Sequence, residues 1–173
     1  MTCNPNWHEI KENLKPYEEG QNRAKLIDRV FHAKVEQLKM HFSRITFPEK
    51  LVLTLTGLPH AHFLLILETN CKMHTPEDFD KIVSAKLPSQ NANPHLFMMV
   101  VQHMIHSPYG SLNPFTVCMK KKDDEYPLYL RLNNRSKVKF RGDIFNNKWG
   151  VRYNAYLLCK FNCHINIEIC PSI

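Results

Sequence analysis

The sequence predicts an α+β fold, with a mainly antiparallel sheet and helices packed on it. Apolar residues recur at helical spacing between Leu26 and Leu38. Two alternating apolar runs, at 50–56 and 60–67, flank a short turn and predict a hairpin. Two further segments begin with helix-start residues. Helices that interleave with hairpins in this way are typical of the α+β class.

Length and composition predict one domain over 1–173 with a real core, because 43% of the 173 residues are hydrophobic. No apolar run approaches the ~20 residues that cross a membrane, so we expect no membrane partner. Six scattered cysteines without a CxxC pair predict reduced thiols in an intracellular compartment, and we expect a nuclear or intracellular location. The net charge of +7 favours an anionic partner such as nucleic acid.

The N-terminal half is predicted to contain an irregular segment, a helix and a hairpin. Pro5, Pro16 and Gly20 predict irregular structure over the first 20 residues. The run KLVLTLT alternates cleanly, GLP forms a tight turn, and a second strand over 60–67 pairs back on the first. The apolar face of the helix consists of Leu26, Ile27, Val30, Phe31, Val35 and Leu38.

The C-terminal half begins with two predicted helices. Thr75 and Asn93 are N-cap residues, and each is followed by proline at the first helical position. Short strands are predicted over 126–132 and 136–140, around the turn NNRS. The alternating run FNCHINIEIC, residues 161–170, predicts a final half-buried strand.

The strongest candidate site is the pair His60 and His62. Residues i and i+2 of a strand face the same way with Cβ atoms ~7 Å apart, so two imidazoles can converge on one ion. Ala61 between them would point into the opposite face. Histidine nitrogens with an oxygen ligand suit Mn²⁺, Zn²⁺ or Mg²⁺. Two ordinary histidines on a strand edge remain the alternative.

A third ligand is needed, and Glu168 or His164 could supply it if the last strand lies beside the histidine strand. Asn166 is a further candidate on the same face, whereas Glu68 lies too far along the chain from His62. A separate zinc site built from Cys118 with a histidine, His103 or His106, stays open, although its spacing matches no standard finger.

A basic stripe lies on the strand predicted over 136–140. Lys137, Lys139 and Arg141 alternate, so they would share one face. Such a stripe can follow a phosphate backbone, which makes these residues candidates for DNA binding. An ordinary exposed face of a sheet accounts for them equally well.

Five blocks of sequence occur in order along the chain. They are TCNPNWHEI (2–10), GLPHAHFLLIL (57–67), TPEDFDKIVSAKLP (75–88), HMIHSPYGSLNP (103–114) and YNAYLLCKFNCHINIEIC (153–170). Together the blocks resemble the Helitron helicase-like domain, the Rep-type HUH endonuclease region of Helitron transposases. The HUH motif, histidine–hydrophobic–histidine, falls on His60, Ala61 and His62.

The resemblance implies an HUH-like sheet with the histidine strand at its centre and helices on one side. It implies a divalent ion, Mg²⁺ or Mn²⁺, held by the two histidines and an acidic or amide side chain. The implied reaction is nicking and joining of single-stranded DNA in rolling-circle transposition, with a tyrosine as nucleophile. In intact relatives a helicase domain follows on the same polypeptide.

The chain also differs from the family pattern. The nucleophilic tyrosines of the family lie beyond the segment that matches the end of this chain, so we expect an inactive fragment, shortened at both ends. Tyr153 and Tyr156 precede that position and are expected to pack or hydrogen bond. Val52, Thr54 and Thr56 occupy the polar face before the motif, where the family has acidic and amide side chains.

Three functions follow from these observations. The first is an HUH nicking domain without its own nucleophile. The second is a non-catalytic module that binds single-stranded nucleic acid. The third is a metal-dependent phosphodiesterase in which water is the nucleophile, which requires a complete set of metal ligands.

Overall fold

The architecture was obtained from a computed structural model that describes residues 1–45, 48–56, 59–73, 75–105, 137–140 and 142–169. Helices and strands are both present, and every strand pair that these residues form is antiparallel. The α+β prediction agrees with this mixture. The chain divides into two compact units, Met1–Lys72 and Met73–Ile173.

The part of the first unit that the structure describes contains two α-helices and a hairpin. Helix α1 spans His8–Lys11 and helix α2 spans Ala24–Ile45. Strands β1, Pro48–Thr56, and β2, His60–Leu67, follow. Single 3₁₀ turns lie at Gly20–Asn22 and Thr69–Cys71. The expectation of irregular structure over the first 20 residues was wrong at α1, where the backbone makes one helical turn between the predicted breakers.

The apolar face predicted for α2 is buried in the core of this unit. Phe31, Val35 and Leu38 are almost fully buried along one stripe. Trp7 stacks on Phe31 with ring centroids 6.5 Å apart. Further along the same helix, Phe42 meets Phe63 of β2 edge to face at 5.9 Å, so the helix packs against the hairpin.

The hairpin forms in the predicted antiparallel sense. Its register pairs Thr56 with His60, Thr54 with His62 and Leu51 with Leu65. Along β2, Ala61 is completely buried while His62 and Leu64 are exposed. The period of two therefore places both histidines on the same face of the hairpin and Ala61 between them on the core face.

Among its described residues, the second unit contains three α-helices and a short hairpin. Helices α3, Pro76–Ile82, and α4, Pro94–His103, begin at the predicted caps. The Thr75 hydroxyl accepts a hydrogen bond from the Asp78 amide at 3.2 Å, and Asn93 Oδ1 accepts one from the Leu96 amide at 3.2 Å. Each cap satisfies an amide that the first helical turn leaves without a partner.

The remaining elements were predicted only in part. Strand β3, Val138–Phe140, lies within the predicted strand, but it pairs with β4, Asp143–Phe145. The turn between them contains Gly142 at φ 93°, a conformation that glycine adopts without strain. The strand predicted over 126–132 lies outside the described residues.

The final strand, predicted over 161–170, was wrong. Helix α5 spans Ala155–Phe161 and ends at Asn162, which adopts left-handed φ and ψ of 45° and 56°. The residues from there to Ile169 form neither helix nor strand. The predicted alternation of burial is nevertheless present, because Cys163 and Ile165 are buried and Asn166 and Glu168 are exposed.

Helices α4 and α5 both contribute side chains to the core of the second unit. Isolated bridges join Ser84 to Tyr153 and Ile105 to Gly150, so extended segments pack beside the helices. Asn147 is buried, and its Oδ1 accepts a hydrogen bond from the Leu87 amide at 2.7 Å. The buried cluster consists of Leu87, Met99, Val100, Met104, Val151, Tyr153 and Leu158.

Candidate metal centre

His60 and His62 lie side by side at the start of β2. Their ring centroids are 4.5 Å apart, and the ring planes are inclined by 59°. Alternate residues of a strand share a face, which is why the intervening Ala61 is buried while both rings occupy the open side. The expected juxtaposition of the two imidazoles is therefore present. Their role as metal ligands stays a prediction.

The N-terminal residues hold the His60 end of this pair. Thr2 forms an isolated antiparallel bridge with His60, and Thr2 Oγ1 lies 2.7 Å from His60 Nδ1. On either side, the Cys3 amide donates to the Pro59 carbonyl and the Ala61 amide donates to the Met1 carbonyl, each at 2.8 Å. Residues 1–3 thus continue the hairpin on the edge of β2 opposite β1.

The electrostatics of the pair favour the neutral form of His60. Burial lowers the pKa of His60 first, and the positive N-terminal ammonium and His62 lower it further. A neutral imidazole has the free lone pair that a cation needs.

The residues proposed as third ligands belong to the other compact unit. Glu168 and Asn166 belong to the second unit, in the segment after α5 that forms no strand. Glu168 accepts hydrogen bonds from Arg152 and from Asn166. His164, in the same segment, is half-buried. The strand that was expected to pair beside β2 does not form, so the third ligand stays a prediction without that support.

The donor set around the histidines is small in the part of the chain that the structure describes. Within those residues, no three His, Cys, Asp or Glu side chains are grouped closely enough to hold a metal ion. Imidazole nitrogens are common ligands of divalent cations, so the pair stays a candidate for two of the ligands. Water or substrate oxygen would have to complete the coordination.

Other predicted site residues have different surroundings. Lys137 and Lys139 are exposed on either side of Val138, as their alternation predicts, whereas Arg141 lies outside the described residues. His106 and Cys118 of the alternative zinc site also lie outside them. His103 Nε2 is 2.7 Å from Asn162 Oδ1, so its ring makes a hydrogen bond within the second unit.

The two tyrosines differ in burial. Tyr153 is only 2% exposed, and its hydroxyl donates to the Lys86 carbonyl at 2.8 Å. Burial raises the pKa of Tyr153, which disfavours its phenolate. Tyr156 is exposed, and its hydroxyl accepts a hydrogen bond from Lys160 at 3.2 Å. Packing and hydrogen bonding, the roles expected of both phenols, account for these contacts.

The sequence did not single out Thr2 as a site residue, although Thr2 contacts His60. A threonine near the start of a chain carries no signal of its own. Only the pairing of residues 1–3 with β2 shows its relation to the histidines. Thr2 does fall within the block 2–10 that carries the family resemblance, but that resemblance assigns no role to its hydroxyl.

No helix among the described residues is long and apolar enough to cross a bilayer.

The chain was compared with curated proteins and with models of protein families. No curated protein matches the chain. The model of the Helitron helicase-like domain at the N-terminus matches residues 1–65, a range that contains Thr2, His60 and His62. This match confirms that the chain resembles the Helitron helicase-like family over residues 1–65.

Proposed function

We propose that the first unit carries the metal-binding hairpin of a Rep-type HUH endonuclease domain. In the intact protein its activity would be metal-dependent nicking and joining of single-stranded DNA during rolling-circle transposition. One observation carries the proposal: the rings of His60 and His62 are neighbours on the open face of β2, inside the residues matched by the Helitron family.

The two histidines would hold a divalent ion, Mg²⁺ or Mn²⁺. The chemistry supplied by a bound ion would be Lewis-acid withdrawal of charge from a scissile phosphate. His60 contributes a ring with one nitrogen at Thr2, and His62 contributes an exposed ring beside it. In this proposal no residue of the chain is assigned the role of nucleophile, and the buried, hydrogen-bonded phenol of Tyr153 is unsuited to it.

Single-stranded DNA is the proposed partner on grounds of charge as well as family resemblance. The chain carries a net charge of +7, and Lys137 and Lys139 are exposed. Lysines at such positions bind phosphates and release counterions, which makes binding weaker as salt increases. A helicase domain on the same polypeptide is the partner proposed for the intact protein.

A non-catalytic module that binds single-stranded nucleic acid is the second candidate. The small donor set favours it, because the described residues bring only two nitrogen ligands together at the hairpin. A module of this kind would retain single strands through its basic residues and would not need the ion. The two candidates therefore differ in their dependence on metal.

The first prediction concerns replacement of the histidines. His60→Ala and His62→Ala should each weaken Mn²⁺ binding at least about tenfold, because each removes one of two protein ligands. The fold should be retained, since His62 is exposed and His60 is only half-buried, and a strand tolerates alanine at such positions. His95→Ala is the matched control, because His95 is an exposed histidine of α4. Mn²⁺ binding followed by water proton relaxation measures the effect.

The same proteins should then be incubated with labelled single-stranded DNA and Mn²⁺. A covalent adduct would identify a nucleophile within the chain, and free cleavage products would indicate attack by water. Retention that needs neither Mn²⁺ nor the histidines would establish the non-catalytic module instead. Equal Mn²⁺ affinity of the parent and both alanine variants would overturn the metal site.

A further inference from the structure

The contact between Thr2 and His60 is built into the backbone. The Oγ1 to Nδ1 distance is 2.7 Å, and the two residues face each other across an antiparallel bridge. Amide to carbonyl bonds at Cys3 and Ala61 secure the bridge on both sides, each at 2.8 Å. Strand pairing therefore fixes the position of the Thr2 backbone beside His60. The hydroxyl is held near the ring more firmly than it would be on an unpaired segment.

We propose that Thr2 is a positioning residue for His60: its hydroxyl accepts a hydrogen bond from Nδ1–H and leaves the lone pair of Nε2 open for a divalent cation. This inference rests on the metal site proposed above. A neutral imidazole has one proton for its two nitrogens, so the partner of one nitrogen decides the state of the other. Histidines that bind metals usually donate their second N–H to an oxygen.

The opposite arrangement has a different chemical consequence. If the Thr2 hydroxyl donated to Nδ1, the ring proton would reside on Nε2 and that nitrogen could not bind a cation. The hydroxyl can serve in either sense, so the tautomer of His60 distinguishes the two arrangements. The tautomer is a property of the protein without metal, and it can be measured directly.

Thr2 also makes the two rings of the pair different. His60 is half-buried and has Thr2 at Nδ1, while His62 is exposed beside it at a centroid separation of 4.5 Å. A fixed His60 ring would set the position at which an ion first binds. The exposed His62 ring can then rotate to meet that ion, because fewer atoms restrict it.

The substitution that isolates the hydroxyl is Thr2→Val. Valine keeps the β-branched shape that suits the strand-like bridge and removes only the hydrogen-bonding group. Thr2→Ser restores a hydroxyl and should restore the parent behaviour. Thr69→Val is the matched control, since Thr69 is an exposed threonine of the same unit. The full chain should carry no N-terminal tag, because residues 1–3 make the contact.

The deciding measurement is the nitrogen chemical shift of the His60 ring in the metal-free protein, at about pH 8, where a histidine is neutral. The parent, Thr2→Ser and Thr69→Val proteins should show Nδ1 protonated and Nε2 bare. Thr2→Val should shift His60 toward the Nε2–H tautomer that free imidazoles favour. A parent protein with Nε2–H, or a Thr2→Val tautomer identical to that of the parent, would overturn the inference.

Mn²⁺ binding forms the second arm of the experiment. Thr2→Val should bind Mn²⁺ about tenfold more weakly than the parent, the lower end of the effect of removing a partner of a ligating histidine. Thr2→Ser should recover most of that affinity. Should the tautomers behave as expected while no protein binds Mn²⁺, the positioning role of Thr2 stands and the proposed metal site is overturned.

Discussion

His60 and His103 are both half-buried histidines, and the side chains around each ring distinguish them. Burial lowers the pKa of both histidines and so favours their neutral forms. The surroundings differ, however. His60 lies beside a second imidazole and a threonine hydroxyl, whereas His103 lies against Asn162 in the second unit. The His103 ring makes a hydrogen bond within the second unit, whereas ligand binding at His60 is a proposal.

His103 should make stability depend on pH. Burial lowers its pKa, and the hydrogen bond with Asn162 raises it by less. The unfolded chain therefore takes up a proton at higher pH than the folded one. The contribution of neutral His103 is present above the unfolded pKa of about 6.5 and is lost as pH falls below it. We expect His103→Gln to lose stability less steeply than the parent between about pH 7 and pH 5.

Urea unfolding at several pH values tests this expectation. The quantity to compare is the free energy of unfolding of the parent minus that of His103→Gln, which should decrease as the pH falls. His95→Gln is the control, because His95 is exposed on the same helix. A difference that is constant across this range, or that increases toward low pH, would contradict the role assigned to burial of His103.

Short elements of the second unit depend on their caps. Asn154 Oδ1 accepts a hydrogen bond from the Leu157 amide at 2.9 Å, at the start of α5. Its Nδ2 donates to the Ile82 carbonyl at 2.8 Å, where α3 ends. One side chain therefore satisfies an amide of one helix and a carbonyl of another. Because α5 has only seven residues, it cannot persist without such support.

Replacing Asn154 should separate these two contacts. Asn154→Ala loses both and should lower the free energy of unfolding by about 2 kcal/mol. Asn154→Asp keeps an acceptor for the Leu157 amide and loses the donor, so it should cost about half as much. Asn91→Ala, at an exposed position, should be nearly neutral. Urea unfolding provides the measurement, and equal costs for Ala and Asp would show that the cap contributes nothing.

The elements that the sequence predicted well are those with their own local signals. Helix α2 has a long apolar stripe, α3 and α4 have a cap followed by proline, and the hairpin has clean alternation. Helix α5 was missed, although Asn154 is a good cap. The period of two in the segment that follows predicted a strand over 161–170 instead. That segment does bury alternate residues, but packing produces the pattern without a strand partner.

The candidate site was predicted to the same extent and for similar reasons. The adjacency of His60 and His62 follows from the geometry of one strand, so sequence was sufficient. The third ligand required a long-range pairing of the segment around Glu168, which no local pattern determines. Thr2 likewise reaches His60 across a separation of 58 residues. Contacts that depend on tertiary pairing were the ones that sequence could not supply.

Each of the two compact units contains completely buried apolar side chains among its described residues. Val35 of α2 and Val100 of α4 are both completely buried, the first in Met1–Lys72 and the second in Met73–Ile173. Each unit therefore has apolar side chains that can stabilise it locally. Compact units with their own cores often open as separate cooperative segments in hydrogen exchange.

Paired truncations in the two cores test whether the units open separately. Val35→Ala and Val100→Ala each delete two buried methyl groups and should cost about 2 kcal/mol. Met98→Ala, at an exposed position of α4, should cost little. Under native conditions, amide exchange should accelerate mainly within the unit that carries the substitution, because the cavity weakens that core first. Equal acceleration of exchange in both units by either substitution would contradict separate opening. The chain would then open as one cooperative structure, and the stability of the hairpin that holds His60 and His62 would depend on the second unit.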